Sequence, residues 1–166
     1  MKQAKYIILL AFAVCMACTD NSPNKQSEDC LAPHPEAIFK KEVEGITNHQ
    51  FKLSGRDSEE TIHFIDSTAV TIYQSGCDKI TQEYRFSLPP SSRRSNKAVL
   101  AVDRLNYMAR LGPDYMTFGG WAKAIEGLQE EFAQNNTAQV GPGFFVSLDK
   151  LDSKDRSILI IKLFEK

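Results

Sequence analysis

The sequence predicts an α+β domain: an antiparallel β-meander, two helices packed on one sheet face, and a C-terminal β-hairpin. Three observations carry this. Residues 50–88 hold short runs of β-branched and aromatic residues set apart by turn-forming ones. Residues 95–134 change to apolar residues spaced three and four apart. Residues 143–164 return to strand-like runs. Strands, then helices, then strands place the helices on one side of one sheet rather than between parallel strands.

Taken in order, Ala37 to Val43 fits both a strand and a helical turn. Gln50 to Ser54 is a short strand candidate. Thr61 to Asp66 and Val70 to Gln74 are richer in strand formers, and Ser67-Thr68-Ala69 between them has hairpin length. Ile80 to Leu88 alternates most cleanly. Ile80, Gln82, Tyr84, Phe86 and Leu88 share one parity, and Thr81, Glu83, Arg85 and Ser87 the other. A period of two buries one face and wets the other. Pro89-Pro90 ends the meander.

Ser95 to Leu111 reads as a helix, with Ala98, Val102, Leu105, Met108 and Ala109 on one face and Gly112-Pro113 as the stop. A second helix is predicted from Phe118 to Gln134, striped by Phe118, Trp121, Ile125, Leu128 and Phe132. Gly119-Gly120 near its start implies either a close backbone neighbour or a later start. Gly143 to Leu148 and Arg156 to Phe164 form the hairpin around a charged loop, Asp149 to Asp155. Ile158 to Ile161 is apolar on both parities, which predicts a central strand covered on both faces.

The chain has 166 residues, 42% hydrophobic and 25% charged, which fits one globular domain. Lys and Arg number 20 against 21 Asp and Glu, so no basic face for nucleic acid is expected.

The start of the chain reads MKQAKYIILLAFAVCMAC. Lys2 and Lys5 precede an apolar run from Tyr6 to Ala17. As a helix that run reaches roughly 18 Å, short of a hydrocarbon core of about 30 Å. A charged start, a short apolar core and a small residue at its end describe a secretory signal. Val14-Cys15-Met16-Ala17-Cys18 resembles the lipobox of bacterial lipoproteins. The residues Cys15-Met16-Ala17 also read as the small-x-small site of ordinary signal cleavage. The lipoprotein resemblance implies that residues 1–17 are a signal peptide, that Cys18 becomes the acylated first residue, and that residues 18–33 are a polar, lipidated tether. Residues 34–166 then form the single α+β domain. It also implies a cell-envelope location, lipid-anchored to the outer membrane and facing the periplasm or the surface. The membrane is then a partner through the lipid, and more than one acyl chain makes such an anchor stable.

With Cys15 discarded and Cys18 acylated, the resemblance leaves Cys30 and Cys77, an even pair in an oxidising compartment and hence a candidate disulfide. Two unpaired buried thiols are the alternative. Neither cysteine has a second Cys near it at metal-ligand spacing.

No reactive motif stands out. His34, His49 and His63 show no ligand spacing, which reads as surface or hydrogen-bonded histidines. His63, Asp66 and Ser67 crowd one hairpin, where neighbouring side chains alternate faces. Glu59-Glu60 and Glu130-Glu131 read as solvated charge. Val140 to Gly143 lacks the lysine of a phosphate loop and reads as a turn. No catalytic residue, metal or cofactor is therefore predicted. Asp66-Ser67-Thr68 resembles the D-S/T-x acceptor of Bacteroidota O-glycosylation, with Ser67 as acceptor. Arg93-Arg94 is a local basic spot. Tyr107, Tyr115, Phe118 and Trp121 gather around the inter-helix turn as a candidate binding surface, with core packing as their other reading.

Together these predict a non-enzymatic binding or inhibitory module, immunity-like in make-up, for an envelope protein partner. The alternatives are a small-molecule carrier with a pocket between helices and sheet, and after it an envelope hydrolase.

Overall fold

The computed structural model describes residues 30–166. The expected signal peptide, Cys18 and most of the expected tether lie outside the described residues. Seven strands form one sheet: β1 (Ile46–Ser54), β2 (Asp57–Phe64), β3 (Ala69–Ser75), β4 (Thr81–Leu88), β5 (Thr137–Gly141), β6 (Phe144–Asp152) and β7 (Ser157–Glu165). Their order is β1-β2-β3-β4-β7-β6-β5, with every neighbouring pair antiparallel. Between β4 and β5 run α1 (Lys97–Ala109), α2 (Thr117–Gly127) and α3 (Gln129–Gln134). The architecture is α+β, as the element order predicts.

Period-two alternation decides which face is inside. Ile62 and Phe64 of β2, Val70 and Ile72 of β3, Tyr84, Phe86 and Leu88 of β4, and Leu159, Ile161 and Leu163 of β7 all point into one core. The helices cover that face with Ala98, Ala101, Leu105 and Met108 of α1, Phe118, Ala122 and Ile125 of α2, and Phe132 of α3. Full burial of each large apolar side chain contributes about 1.5–3 kcal/mol. Asn96 caps α1, its side chain accepting from Ala98 N at 2.7 Å.

The structure departs from the sequence reading in several places, beginning with β1 and β2, which start at Ile46 and Asp57 rather than at Gln50 and Thr61. The predicted second helix breaks at Leu128, whose φ of −117° and ψ of 21° are not helical. Gly127 favours that break, since glycine is among the poorest helix formers. Helix α2 starts at Thr117, so Gly119-Gly120 lie within it. A Cβ on Gly119 would make only ordinary contact with Ala109 Cβ at 3.6 Å, and one on Gly120 would meet nothing within 4 Å, so neither a close backbone neighbour nor a later start accounts for the pair. The C-terminal hairpin gains a third strand, β5, and β6 extends through Asp152 into the expected charged loop. Ala37 to Val43 is neither strand nor helix but part of an irregular strap. Strand β7 is interior to the sheet, yet the described residues cover only its inner face; Ile158, Ile160 and Phe164 stay part-exposed on the other.

The strap, residues 30–45, is tied down along its length. Cys30 and Cys77 are paired as a disulfide, with Cα atoms 4.7 Å apart and a sequence separation of 47. Ala32 N donates to Cys77 O at 2.9 Å. Arg56 donates to Ala32 O and Pro33 O, and Gln74 Nε2 to Glu36 O at 2.7 Å. Phe39 enters the core, stacked on Tyr115 at 4.7 Å and Phe118 at 5.7 Å between ring centres. Among the described residues no helix is long and apolar enough to cross a membrane.

Candidate functional site

The main candidate is a cleft of about 390 Å³ where the strap, helix α2 and one end of the sheet meet. Its walls follow from local structure. Gly76, at φ +128°, turns the chain between β3 and β4, and a Cβ there would meet Lys79 O at 2.0 Å. That turn sets Asp78, Lys79 and Ile80 on one side, beside Ala32 and Pro33 of the strap. Opposite stand Trp121 of α2 and Phe144 at the start of β6, their rings 6.0 Å apart and tilted by 45°. Leu163, Phe164 and Glu165 of β7 close the far end.

Gln82 is the uncharged polar side chain of the cleft, and its amide is held in place. Its Nε2 donates to Gln74 Oε1 at 3.3 Å, and its Oε1 accepts from Tyr84 Oη at 3.0 Å. Gln74 Nε2 in turn donates to Ser58 Oγ at 3.2 Å. Burial, with the Glu60 carboxylate nearby, pushes the Tyr84 hydroxyl far above its ordinary pKa, so it stays a donor. An amide has two N–H groups and two acceptor positions, so Gln82 keeps one of each beyond this network.

The predicted aromatic cluster does not form one surface. Tyr115 and Phe118 are 5% and 6% exposed and belong to the core, because Phe39 arrives from the strap to stack on both. Tyr107 is half-buried, edge-on to Phe64 and beneath Arg104. Trp121 alone reaches the cleft. Sequence reasoning missed Phe144, 39% exposed, as its partner. The signal was Phe144-Phe145: adjacent strand residues face opposite sides, so two large rings cannot share one core.

Glu60 corrects the reading of Glu59-Glu60 as solvated charge. It is fully buried and accepts from Ile38 N at 2.7 Å, Phe39 N at 2.9 Å and His49 Nε2 at 2.8 Å. Its parity with Ile62 and Phe64 on β2 was the clue. Arg93 is tied to the β6–β7 turn, donating to Ser153 O and accepting from Lys150 Nζ through its carbonyl.

The β2–β3 turn holds a second polar group. Asp66 accepts from Thr68 N at 3.0 Å and from Arg104 Nη1 at 2.8 Å. Partial burial works against its charge, but the bonds from Thr68 and Arg104 outweigh it and hold the carboxyl below its ordinary value. Arg104 also binds Asp103 at 2.6 Å; burial opposes its charge, and the two carboxylates still raise its pKa. Ser67 sits exposed at the turn's tip with φ +63°. His34 and His63 are exposed. Among the described residues no group of three or more His, Cys, Asp or Glu side chains is placed to hold a metal ion. Compared with known proteins, the chain matches no family model, no curated protein and no solved structure.

Proposed function

We propose that the chain is an envelope-anchored lipoprotein whose domain is a non-enzymatic binding module, holding a protein partner through the cleft beside Trp121. The observation that carries this reading is the cleft's make-up. Three aromatic residues, one oriented amide and an exposed rim of Asp78, Lys79 and Glu165 suit an aromatic or long aliphatic side chain presented by a larger polar surface. Small-molecule sites bury about 70–90% of their ligand. An open cleft meets that condition once a partner's surface covers its mouth. The strap supports the anchored part of the reading, since it staples the chain to the body at Cys30, near the end of the expected tether. From Cys18 to Cys30 an extended chain reaches about 40 Å, which sets how far the cleft can stand from an acylated end.

A small-molecule carrier is the second reading. The cleft's volume of about 390 Å³ favours it, being within the range of ligand pockets. A photo-cross-linking residue in place of Phe144, in full-length chain expressed in cells, separates the two. A discrete protein adduct, weakened by Trp121→Ala and absent from the same residue placed at Asp155, supports the partner. No adduct, together with a change in Trp121 emission on adding N-phenylnaphthylamine, supports the carrier. Neither response overturns both. Labelling with a radioactive fatty acid tests the anchor: Cys18→Ser loses the label if Cys18 is acylated. We also assign Ser67 as the O-glycan acceptor, on its exposure at the tip of the Asp66–Thr68 turn. An intact mass unchanged by Ser67→Ala, beyond the substitution itself, removes that assignment.

A further inference from the structure

The strap sets the direction of the hydrogen bonds that hold the cleft's amide. Glu36 O is a backbone carbonyl and can only accept, so Gln74 turns its Nε2 toward it at 2.7 Å. The same nitrogen donates to Ser58 Oγ at 3.2 Å, which uses both of its N–H groups. Gln74 Oε1 then faces Gln82 as an acceptor, so Gln82 presents its Nε2 there at 3.3 Å. That leaves Gln82 Oε1 for Tyr84, whose hydroxyl donates at 3.0 Å. Gln74 and Tyr84 are both buried, so water does not stand in for these bonds. The relay ends in the cleft with one N–H and one acceptor position of Gln82 unspent, on a wall shared with Trp121 and Phe144.

A partner that covers the mouth removes the water serving these two positions, and a polar group buried without a bond is costly. Side chains differ in what they bring there. Phenylalanine and leucine bring neither donor nor acceptor; lysine, arginine and tryptophan bring only donors, and carboxylates only acceptors. Serine, threonine, asparagine and glutamine bring both, but have little flat apolar body to lay on the rings. The two nitrogens of a neutral histidine point apart, so one amide cannot meet both. Tyrosine brings a ring that stacks and, at its tip, an oxygen that both donates and accepts. We propose that the partner enters the cleft with a tyrosine, its ring against Trp121 and Phe144 and its hydroxyl on Gln82, and that Gln82 is the residue that selects it. This rests on the reading of the cleft as a protein-binding site. A site built to hydrogen-bond a hydroxyl discriminates strongly against the analogue that lacks it.

Full-length chain, immobilised in mild detergent, is used to select peptides from a random displayed library. The expected result is a set of peptides that share a tyrosine and are not retained by Trp121→Ala. Replacing that tyrosine with phenylalanine should weaken binding to wild type by about tenfold or more. Replacing it with 4-fluorophenylalanine, which fills the hydroxyl's place without its proton, should not recover the loss. Against Gln82→Met, which keeps the length of the side chain without its polar atoms, the tyrosine and phenylalanine peptides should bind alike. The peptide-side comparison on wild type decides the matter by itself if Gln82→Met loses its circular dichroism spectrum. Peptides anchored by another residue, no loss on removing the hydroxyl, or a loss that persists in a folded Gln82→Met overturn the proposal and leave the protein-binding reading standing. A selection that yields no peptide dependent on Trp121 overturns both.

Discussion

Glu60 and His49 meet across β1 and β2 at 2.8 Å, and the same carboxylate accepts two backbone N–H groups of the strap. One side chain thus joins an edge strand, an interior strand and the segment that carries Phe39 into the core. Glu60→Ala leaves the Ile38, Phe39 and His49 donors without this acceptor. Each buried unsatisfied donor costs about 1–3 kcal/mol, so a loss of about 3 kcal/mol or more is expected in urea unfolding. Glu60→Gln keeps an acceptor and should lose roughly half as much. A midpoint unmoved by Glu60→Ala would refute the strap's dependence on this residue.

The sequence reveals this fold where the evidence is local. Tyr84, Phe86 and Leu88 declare the inner face of β4 by parity alone, and Ala98, Leu105 and Met108 declare that of α1 by spacing. What it hides is set by distant contacts. Thr137-Ala138-Gln139 has only one small apolar residue facing inward, and becomes a strand because Ala138 pairs with Val146. Tyr115 and Phe118 resemble a surface cluster until Phe39, far away in the chain, stacks on them. The cleft was half legible: Trp121 stood out as an aromatic, but its partner Phe144 and the strap wall come together only through the disulfide and the sheet register.

The disulfide should hold that wall in place. For a separation of 47 residues, the chain-entropy account gives about 4 kcal/mol. Replacing Cys30 and Cys77 together with serine should lower stability by about 2–4 kcal/mol in urea. Trp121 is the chain's only tryptophan, so its emission reports on the cleft directly. It should move to longer wavelength in the double variant, as Ala32 and Pro33 leave the wall and water enters. Unchanged emission would mean that the strap stays closed without the bridge.

Asp66 supplies a pH dependence whose sign follows from its lowered pKa. A carboxyl held below its ordinary value of 3.8 by Thr68 and Arg104 stabilises the fold when ionised. That contribution is fully present above the ordinary value and is lost as pH falls through the folded value. Wild-type stability should therefore fall below about pH 4. Asp66→Asn should be less stable than wild type at neutral pH, with a difference that shrinks in acid. Urea midpoints measured from neutral pH down to about pH 3 give the comparison. A gap that stays constant across that range would show that the ion pair with Arg104 carries no stability.

Two glycines should respond to alanine with opposite signs. Gly76 has φ +128°, and an added Cβ would lie 2.0 Å from Lys79 O, a backbone atom that cannot move without reopening the turn. Gly76→Ala should cost more than about 1 kcal/mol. It should also displace Lys79 and Ile80, so Trp121 emission should change with the stability. Gly120 lies inside α2, and a Cβ there meets nothing within 4 Å. Alanine removes the excess freedom of glycine in the unfolded chain, so Gly120→Ala should stabilise by about 0.5–1 kcal/mol. It should leave Trp121 emission in place, although Trp121 is the next residue, because helix geometry is unchanged. Thermal melts with emission spectra on both variants decide the matter. A stabilising Gly76→Ala would mean that the turn forming this wall of the cleft is not the one described.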